Sequence, residues 1–164
     1  MQSLSKPAVL LCACFLCASL FLPRESKAQF SGAASASSAL SIPKADVIQP
    51  EALQASLQSG EKPLVLQVGS RVMFTQAHIP GAQYAGPGSQ PSGLQLLESR
   101  LAKTSKAQSI VLYCGCCPWN RCPNVGPAYH RLHDLGFTHV KVLYIADNFG
   151  QDWVAKGYRA DKGE

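Results

Sequence analysis

Four cysteines and one arginine lie within nine consecutive residues of this chain. These residues are Cys114, Cys116, Cys117, Arg121 and Cys122. An aliphatic run at residues 110–113 precedes them, and a helical pattern begins near Asn124. A helix N-terminus supplies partial positive charge and free N–H donors, and both stabilise a thiolate. The pattern therefore predicts a thiol-rich loop between a strand and a helix, suited to nucleophilic catalysis, thiol–disulfide exchange or binding of a soft metal ion.

The first 28 residues have the pattern of a secretory signal peptide. Lys6 provides the positive charge, residues 8–22 are almost wholly apolar, and residues 26–28 place small side chains where signal peptidase reads them. The apolar run is short and is soon broken by residues 23–25, which argues against a membrane span. The alternative is an uncleaved N-terminal anchor, which would be the only membrane contact. We expect cleavage after Ala28 and a periplasmic or secreted protein.

Removal of residues 1–28 changes the count of cysteines and charges. Three of the seven cysteines leave, and the four that remain all lie in the loop. The net charge falls from +5 to +3, because 12 Lys and Arg residues remain against 9 Asp and Glu. No basic run is present, so a nucleic-acid partner is not expected. Four cysteines within one loop cannot join distant parts of a fold, which favours a chemical role over a structural disulfide framework.

The remaining chain divides into a short leader and one domain. Residues 29–44 are rich in Ser, Ala and Gly and read as a flexible leader. Residues 45–160 form the domain, and the charged residues from Asp161 onward read as a solvated tail.

Alternating patterns predict strands and helices in turn along the domain. Proline-initiated or leucine-periodic segments predict helices from Pro50 and around residues 94–101, and Gly136 is expected to end the helix that follows the loop. Aliphatic runs predict strands at residues 64–68, 110–113 and 140–145. The prediction is an α/β domain with a mainly parallel central sheet flanked by helices, and with its active site at the carboxyl ends of the strands.

Several segments resemble, in order, the rhodanese-like domain. They are residues 48–53, the turn His78-Ile79-Pro80-Gly81-Ala82, residues 111–114, residues 135–143 and residues 153–158. The resemblance covers residues 45–158 and identifies the chain as a member of that family, a sulfurtransferase fold. His78 would then be structural, and Trp153 is expected in the core.

The resemblance implies a cysteine that carries a sulfane sulfur as a persulfide. The donor would be a small molecule such as thiosulfate, the acceptor would be cyanide, a small thiol or a partner-protein thiol, and no cofactor or metal is expected. The catalytic candidates are Cys114, which the strand delivers, Cys116, which is separated from the arginine by the family's four residues, and Arg121 as the cation. The substrate-binding candidates are Gly115, Cys117, Trp119 and Asn120. Cys117 and Cys122 are the candidate resolving thiols.

Two departures from the family pattern leave alternatives open. Where the family usually has Asp and then Arg after the apolar strand, this chain has Gln67 and Gly69. The loop also contains Pro118 and Pro123, each of which removes an amide donor. A thiol–disulfide redox module, a thiolate site for zinc or copper, and a catalytically silent fold are the competing interpretations.

Overall fold

A computed structural model describes residues 42–164, so the predicted signal peptide and most of the predicted leader lie outside the described residues. Five parallel strands form one sheet in the order β1-β5-β4-β2-β3. The strands are β1 Val47–Ile48, β2 Leu64–Gln67, β3 Gln83–Tyr84, β4 Ile110–Tyr113 and β5 Val140–Leu143. The helices are α1 Pro50–Gln58, α2 Arg71–Gln76, α3 Pro91–Leu101, α4 Val125–Asp134 and α5 Phe149–Asp152. Short 3-10 turns span Lys44–Asp46, Trp119–Arg121 and Val154–Lys156. The predicted α/β class is confirmed.

The neighbouring strands β2 and β4 place the loops that follow them side by side. All four residues of β4 are buried, and β4 pairs with β2 over its whole length, with Gln67 opposite Tyr113. Alternate residues of a strand point to opposite faces. Leu112 therefore packs in the core on one face of the sheet, and Val111 packs in the core on the other. Because β2 and β4 end at the same level, the loops that follow them meet at one edge.

The ends of the helices follow their predicted signals. Proline begins both α1 and α3. After α4, the Gly136 N–H donates to the His133 carbonyl at 2.8 Å and the Phe137 N–H donates to the Leu132 carbonyl at 3.0 Å. Gly136 has a φ of 85°, so this is a Schellman ending that needs glycine, and it buries Phe137 beneath the helix.

Some predicted boundaries were wrong, and three elements were missed. The strands predicted at residues 64–68 and 140–145 end at Gln67 and Leu143, and Ile48, in the segment that resembles the family's opening helix, lies in β1. The missed elements are β1, β3 and α2. Strands of two residues and a helix of six are too short to show a hydrophobic period.

The residues from Asp161 onward are held against α2 rather than freely solvated. The backbone groups of His78 and Asp161 exchange two hydrogen bonds of 2.9 Å, and the Gly163 N–H donates to the Thr75 carbonyl at 2.9 Å. The His78 ring stacks on Phe74 with centroids 4.0 Å apart, and its Nδ1 lies 2.9 Å from the Phe74 carbonyl. His78 therefore has a structural position. Within residues 42–164, no helix has the length and apolar character needed to cross a membrane.

Candidate active site

Strand β4 delivers Cys114 to the carboxyl edge of the sheet, where Gly115 turns the chain. Gly115 is buried and has a φ of 77°, a conformation that residues with a Cβ rarely adopt. A Cβ at this position would lie 2.9 Å from the Cβ of Phe149, and the Phe149 N–H donates to the Gly115 carbonyl at 3.0 Å. Glycine is thus required twice over, by conformation and by contact with α5. Gly115 therefore curls the chain tightly after β4.

The curl brings the loop thiols together. The Sγ of Cys116 lies 3.0 Å from that of Cys114 and 3.1 Å from that of Cys117, and the three sulfurs lie within 4.8 Å of one another. Cys122 lines a small void together with Cys114 and Cys117 and affects the acidity of both. Cys114 and Cys122 are buried, whereas Cys116 and Cys117 are partly exposed, and none of the four is in a disulfide. We call these four side chains the thiol cluster.

Hydrogen bonds within the thiol cluster shift the acidity of its members in opposite directions. Donation by the Cys114 thiol is the main cause that lowers the pKa of Cys116 to about 6, against the cost of burial. The Cys117 thiol, the backbone N–H of Cys116 itself and the amide of Asn124 lower this pKa further. The pKa of Cys114 is raised because its proton is held by Cys116 and Cys122, and burial raises the pKa of Cys117.

Cys122 is the second thiol with a lowered pKa, at about 7. Its main stabilising contact is again Cys114, opposed by burial, and the backbone N–H groups of Asn124 and Val125 at the start of α4 contribute. The expected effect of the helix N-terminus therefore falls on Cys122. Cys114 carries one proton and can donate to only one thiolate at a time. Since Cys116 has other thiol and amide donors and is partly exposed, we take Cys116 as the accessible thiolate.

Two buried amide side chains that were not among the predicted site residues hold Cys114. The Nε2 of Gln67 donates to the Cys114 carbonyl at 3.1 Å, and the Oε1 of Gln67 accepts from the Gly69 N–H at 3.2 Å. The Nδ2 of Asn124 donates to the Cys114 Sγ at 3.3 Å, and its Oδ1 accepts from the N–H and Oγ of Ser89 at 3.1 and 2.8 Å. The sequence signal for Gln67 was a polar residue that ends an apolar strand.

Gly69 leaves no space for a side chain beside Cys114. A Cβ there would lie 2.9 Å from the Cys114 carbonyl oxygen and 3.0 Å from both the Cys114 Sγ and the Gln67 Nε2. The sequence comparison treated Gly69 as a lost basic residue. In the structure it is the position that allows the β2 loop to close over Cys114.

A cavity of about 230 Å³ opens beside the Cys114–Gly115 segment. It is lined by Gln67, Met73, Gln76, Ala77, Tyr113, Cys114, Gly115, Asn148, Phe149, Gly150 and Val154. Of these residues none carries a formal charge, and the polar side chains are mainly amides. The lining of the cavity therefore favours the uncharged part of a small molecule.

A family model described as the rhodanese-like domain matches residues 49–145, which is more than half of the chain. The chain belongs to the rhodanese-like domain family. A comparison with curated proteins gave no match.

Several solved structures share the fold, among them a rhodanese-like domain. A rhodanese-like domain from Anabaena sp. has 21% identity and a TM-score of 0.53, with 71% of this chain and 79% of that chain covered. A Bacillus halodurans protein has 23% identity and a TM-score of 0.55, covering 70% and 75%. A thiosulfate sulfurtransferase from Pseudomonas aeruginosa has 26% identity and a TM-score of 0.55, with 74% of this chain but 20% of that longer chain covered.

The side chains predicted from the rhodanese-like loop do not all meet at the thiols. Trp119 is partly buried, packs against Tyr144 with ring centroids 5.2 Å apart, and lines a void of about 10 Å³ together with Cys117 and Cys122. Asn120 and Arg121 lie in the 3-10 turn and are exposed. Neither of them lines the cavity beside Cys114. The Arg121 guanidinium therefore faces solvent, where it could attract an anion that approaches the loop but does not contact the cavity beside Cys114.

The spacing of the thiol cluster is that of hydrogen-bonded thiols. Sulfur ligands about 2.3 Å from a tetrahedral zinc ion lie roughly 3.8 Å from one another. The observed separations of 3.0 and 3.1 Å from Cys116 are shorter. Within the part of the chain that the structure describes, Cys114, Cys116 and Cys117 are close enough together to hold a thiophilic ion. They would have to spread apart to do so.

Proposed function

We propose that this rhodanese-like domain is a sulfurtransferase that carries a sulfane sulfur as a persulfide on Cys116. The observation that supports this proposal is the partly exposed Cys116 sulfur, which lies 3.0 and 3.1 Å from a thiol on either side and has a lowered pKa. A thiolate is the reactive form of cysteine, and a lowered pKa keeps it populated at neutral pH. Cys114, the candidate favoured by the strand position, is buried and acts in this scheme as the donor that stabilises the thiolate.

The chemical steps need only the donor and the acceptor. The Cys116 thiolate attacks the outer sulfur of thiosulfate, the sulfur–sulfur bond of the donor breaks, and sulfite leaves with the electron pair. The product is a persulfide on Cys116. Cyanide or an acceptor thiolate then attacks the outer sulfur, forms thiocyanate or a new persulfide, and returns Cys116 as a thiolate.

Donor and acceptor meet different surroundings at this site. Arg121 is exposed and supplies positive charge near the loop for an anionic donor. The cavity beside Cys114 and Gly115 has no charged lining residue and suits the uncharged body of an organic thiol. Small sulfur donors and thiol acceptors, including a thiol on a partner protein, are therefore the proposed substrates.

Intact mass spectrometry tests the proposal. The full chain is reduced, freed of reductant under anaerobic conditions and mixed with thiosulfate, and we expect a mass gain of one sulfur atom that maps to Cys116. Cys116→Ser should abolish the gain. Cys117→Ser is the matched control, because it removes an adjacent thiol that is also partly exposed, and it should retain the gain. Sulfur that maps to Cys114 in both variants, or no gain with any sulfane donor, would contradict the assignment.

We also propose that the protein is exported and acts in the periplasm or outside the cell. The basis is the signal-like pattern of residues 1–28, which lie outside the described residues. N-terminal sequencing of the protein recovered from its native compartment should begin at Gln29. Recovery of the intact N-terminus from the cytosolic fraction would count against export.

A further inference from the structure

The persulfide proposed on Cys116 would form within contact of two other thiols. In the reduced loop the Cys114 and Cys117 sulfurs lie 3.0 and 3.1 Å from the Cys116 Sγ, which becomes the inner sulfur of the persulfide. A thiol that attacks an inner sulfur displaces the outer one and forms a disulfide. Proximity alone does not choose between the two neighbours.

Backbone spacing separates the two candidates. Cys116 and Cys117 are adjacent, so their Cα atoms are about 3.8 Å apart, whereas disulfide-bonded residues usually have Cα atoms about 4.4–6.8 Å apart. Cys114 and Cys116 are separated by Gly115. Two residues span at most about 7 Å when extended, and the left-handed turn at Gly115 shortens that span into the range for disulfides. Cys114 is thus the neighbour whose Cα spacing is better suited to a disulfide with Cys116.

The direction of approach also favours Cys114. Its side chain is 3% exposed and lies on the core side of Cys116, fixed by the Asn124 amide at 3.3 Å. A sulfur delivered from solvent adds to the exposed side of Cys116. The attacking and leaving sulfurs would then lie on opposite sides of the Cys116 Sγ, as displacement at sulfur requires.

We propose that Cys114 resolves the Cys116 persulfide within the loop, so that the domain releases hydrogen sulfide and becomes a Cys114–Cys116 disulfide. The new bond joins the Cys114 and Cys116 sulfurs, and the bond from Cys116 to the outer sulfur breaks. The outer sulfur leaves with the electron pair and takes up the Cys114 proton to give hydrogen sulfide. The persulfide supplies the oxidation, and a dithiol reductant that reduces the loop disulfide completes the cycle. This activity rests on the proposed persulfide and extends it from sulfur transfer to sulfide release.

The test is a single turnover of the full-length protein. Fully reduced protein, free of other thiols and kept anaerobic, is mixed with one equivalent of thiosulfate, and sulfide is measured together with the intact mass. We expect stoichiometric sulfide, a final mass lower than that of the reduced protein by two hydrogens, and a disulfide that maps to Cys114 and Cys116. Because mapping uses the natural sequence, it does not depend on a variant folding.

Two matched variants identify the resolving thiol. Cys114→Ser should gain one sulfur and hold it, with sulfide appearing only after an external dithiol is added. Cys117→Ser removes the other contact of Cys116, a thiol that also lowers the pKa of Cys116, so sulfur uptake should slow, but each sulfur taken up should still be released as sulfide. A stable persulfide on the natural protein, or equal sulfide release from Cys114→Ser, would overturn the inference and leave the sulfurtransferase proposal intact. Protein that takes up no sulfur and releases no sulfide would overturn both.

Discussion

The titration of Cys116 provides a quantitative test of the thiol cluster. If thiol donation stabilises the thiolate, its reaction with an alkylating agent should show an inflection near pH 6, well below the unshifted value of 9.0. Replacement of Cys114 by Ala removes the largest cause of the shift and should move the inflection toward the ordinary thiol value. Cys117→Ala removes a smaller contribution and should move it less.

The size of the effect on rate follows from two opposing factors. At pH 7 a thiol with a pKa of 9.0 is about 1% ionised, and one with a pKa of about 6 is about 90% ionised, a gain of roughly 90-fold. Thiolates of lower pKa are weaker nucleophiles, by roughly 15- to 30-fold for this difference. The net gain at pH 7 is thus only about three- to sixfold. The position of the inflection, rather than the rate, is the decisive observable.

Iodoacetamide labelling followed by peptide mapping measures this inflection for Cys116 separately from the other thiols. Cys122, with a pKa of about 7, is buried and should react more slowly. Because interacting thiols share their titrations, the measurement is repeated in a Cys122→Ser background. An inflection above pH 8 in the natural loop, or a larger shift from Cys117→Ala than from Cys114→Ala, would refute the hydrogen-bonding argument.

Three further predictions concern the residues around the thiol cluster. Gly69→Ala places a Cβ 2.9 Å from the Cys114 carbonyl oxygen and should destabilise the domain by about 1–3 kcal/mol in urea unfolding, and an unchanged midpoint would disprove the close packing. Asn124→Asp keeps the acceptor oxygen but loses the amide that donates to the Cys114 Sγ and lowers the pKa of Cys116. Persulfide formation should therefore slow, while thermal unfolding shows a retained fold. An unchanged rate would argue against that hydrogen bond. Arg121→Gln should raise the KM for thiosulfate up to about fivefold, the effect of about 1 kcal/mol from an exposed charge, with little change in kcat. Arg159→Gln, which removes an exposed charge from the C-terminal segment, is the control, and an equal rise in KM would mean that the effect is only one of net charge.

Local signals were sufficient for the elements that carry the cysteines. The buried run of β4, the helix after Asn124 and the glycine that ends α4 are encoded by neighbouring residues, and each was predicted close to its observed place. The mainly parallel sheet was predicted, whereas the order of its strands was not. The elements that escaped prediction, β1, β3 and α2, are two to six residues long and depend on pairing with distant segments.

The inner contacts of the site could not be read from local pattern. Gln67 reaches the Cys114 carbonyl across 47 positions of sequence, and Ser89 meets Asn124 across 35. Such contacts depend on how β2, β4 and α4 pack at one edge of the sheet. The sequence showed that four thiols are clustered but gave no sign of which one donates and which one accepts, because that depends on the turn at Gly115 and on burial.

The composition of the loop has a physical explanation in these contacts. Pro118 and Pro123 remove backbone N–H donors from the loop, and Arg121 points to solvent, so two usual ways of stabilising a thiolate are reduced. The groups that lower the pKa of Cys116 replace them, namely the two neighbouring thiols, its own N–H and the Asn124 amide. A thiol donor differs from an amide in that it can also react. The same Cys114 proton that stabilises the Cys116 thiolate belongs to the sulfur placed to displace a persulfide from it. The extra cysteines therefore connect activation of the nucleophile with its resolution, and loss of Cys114 should impair both.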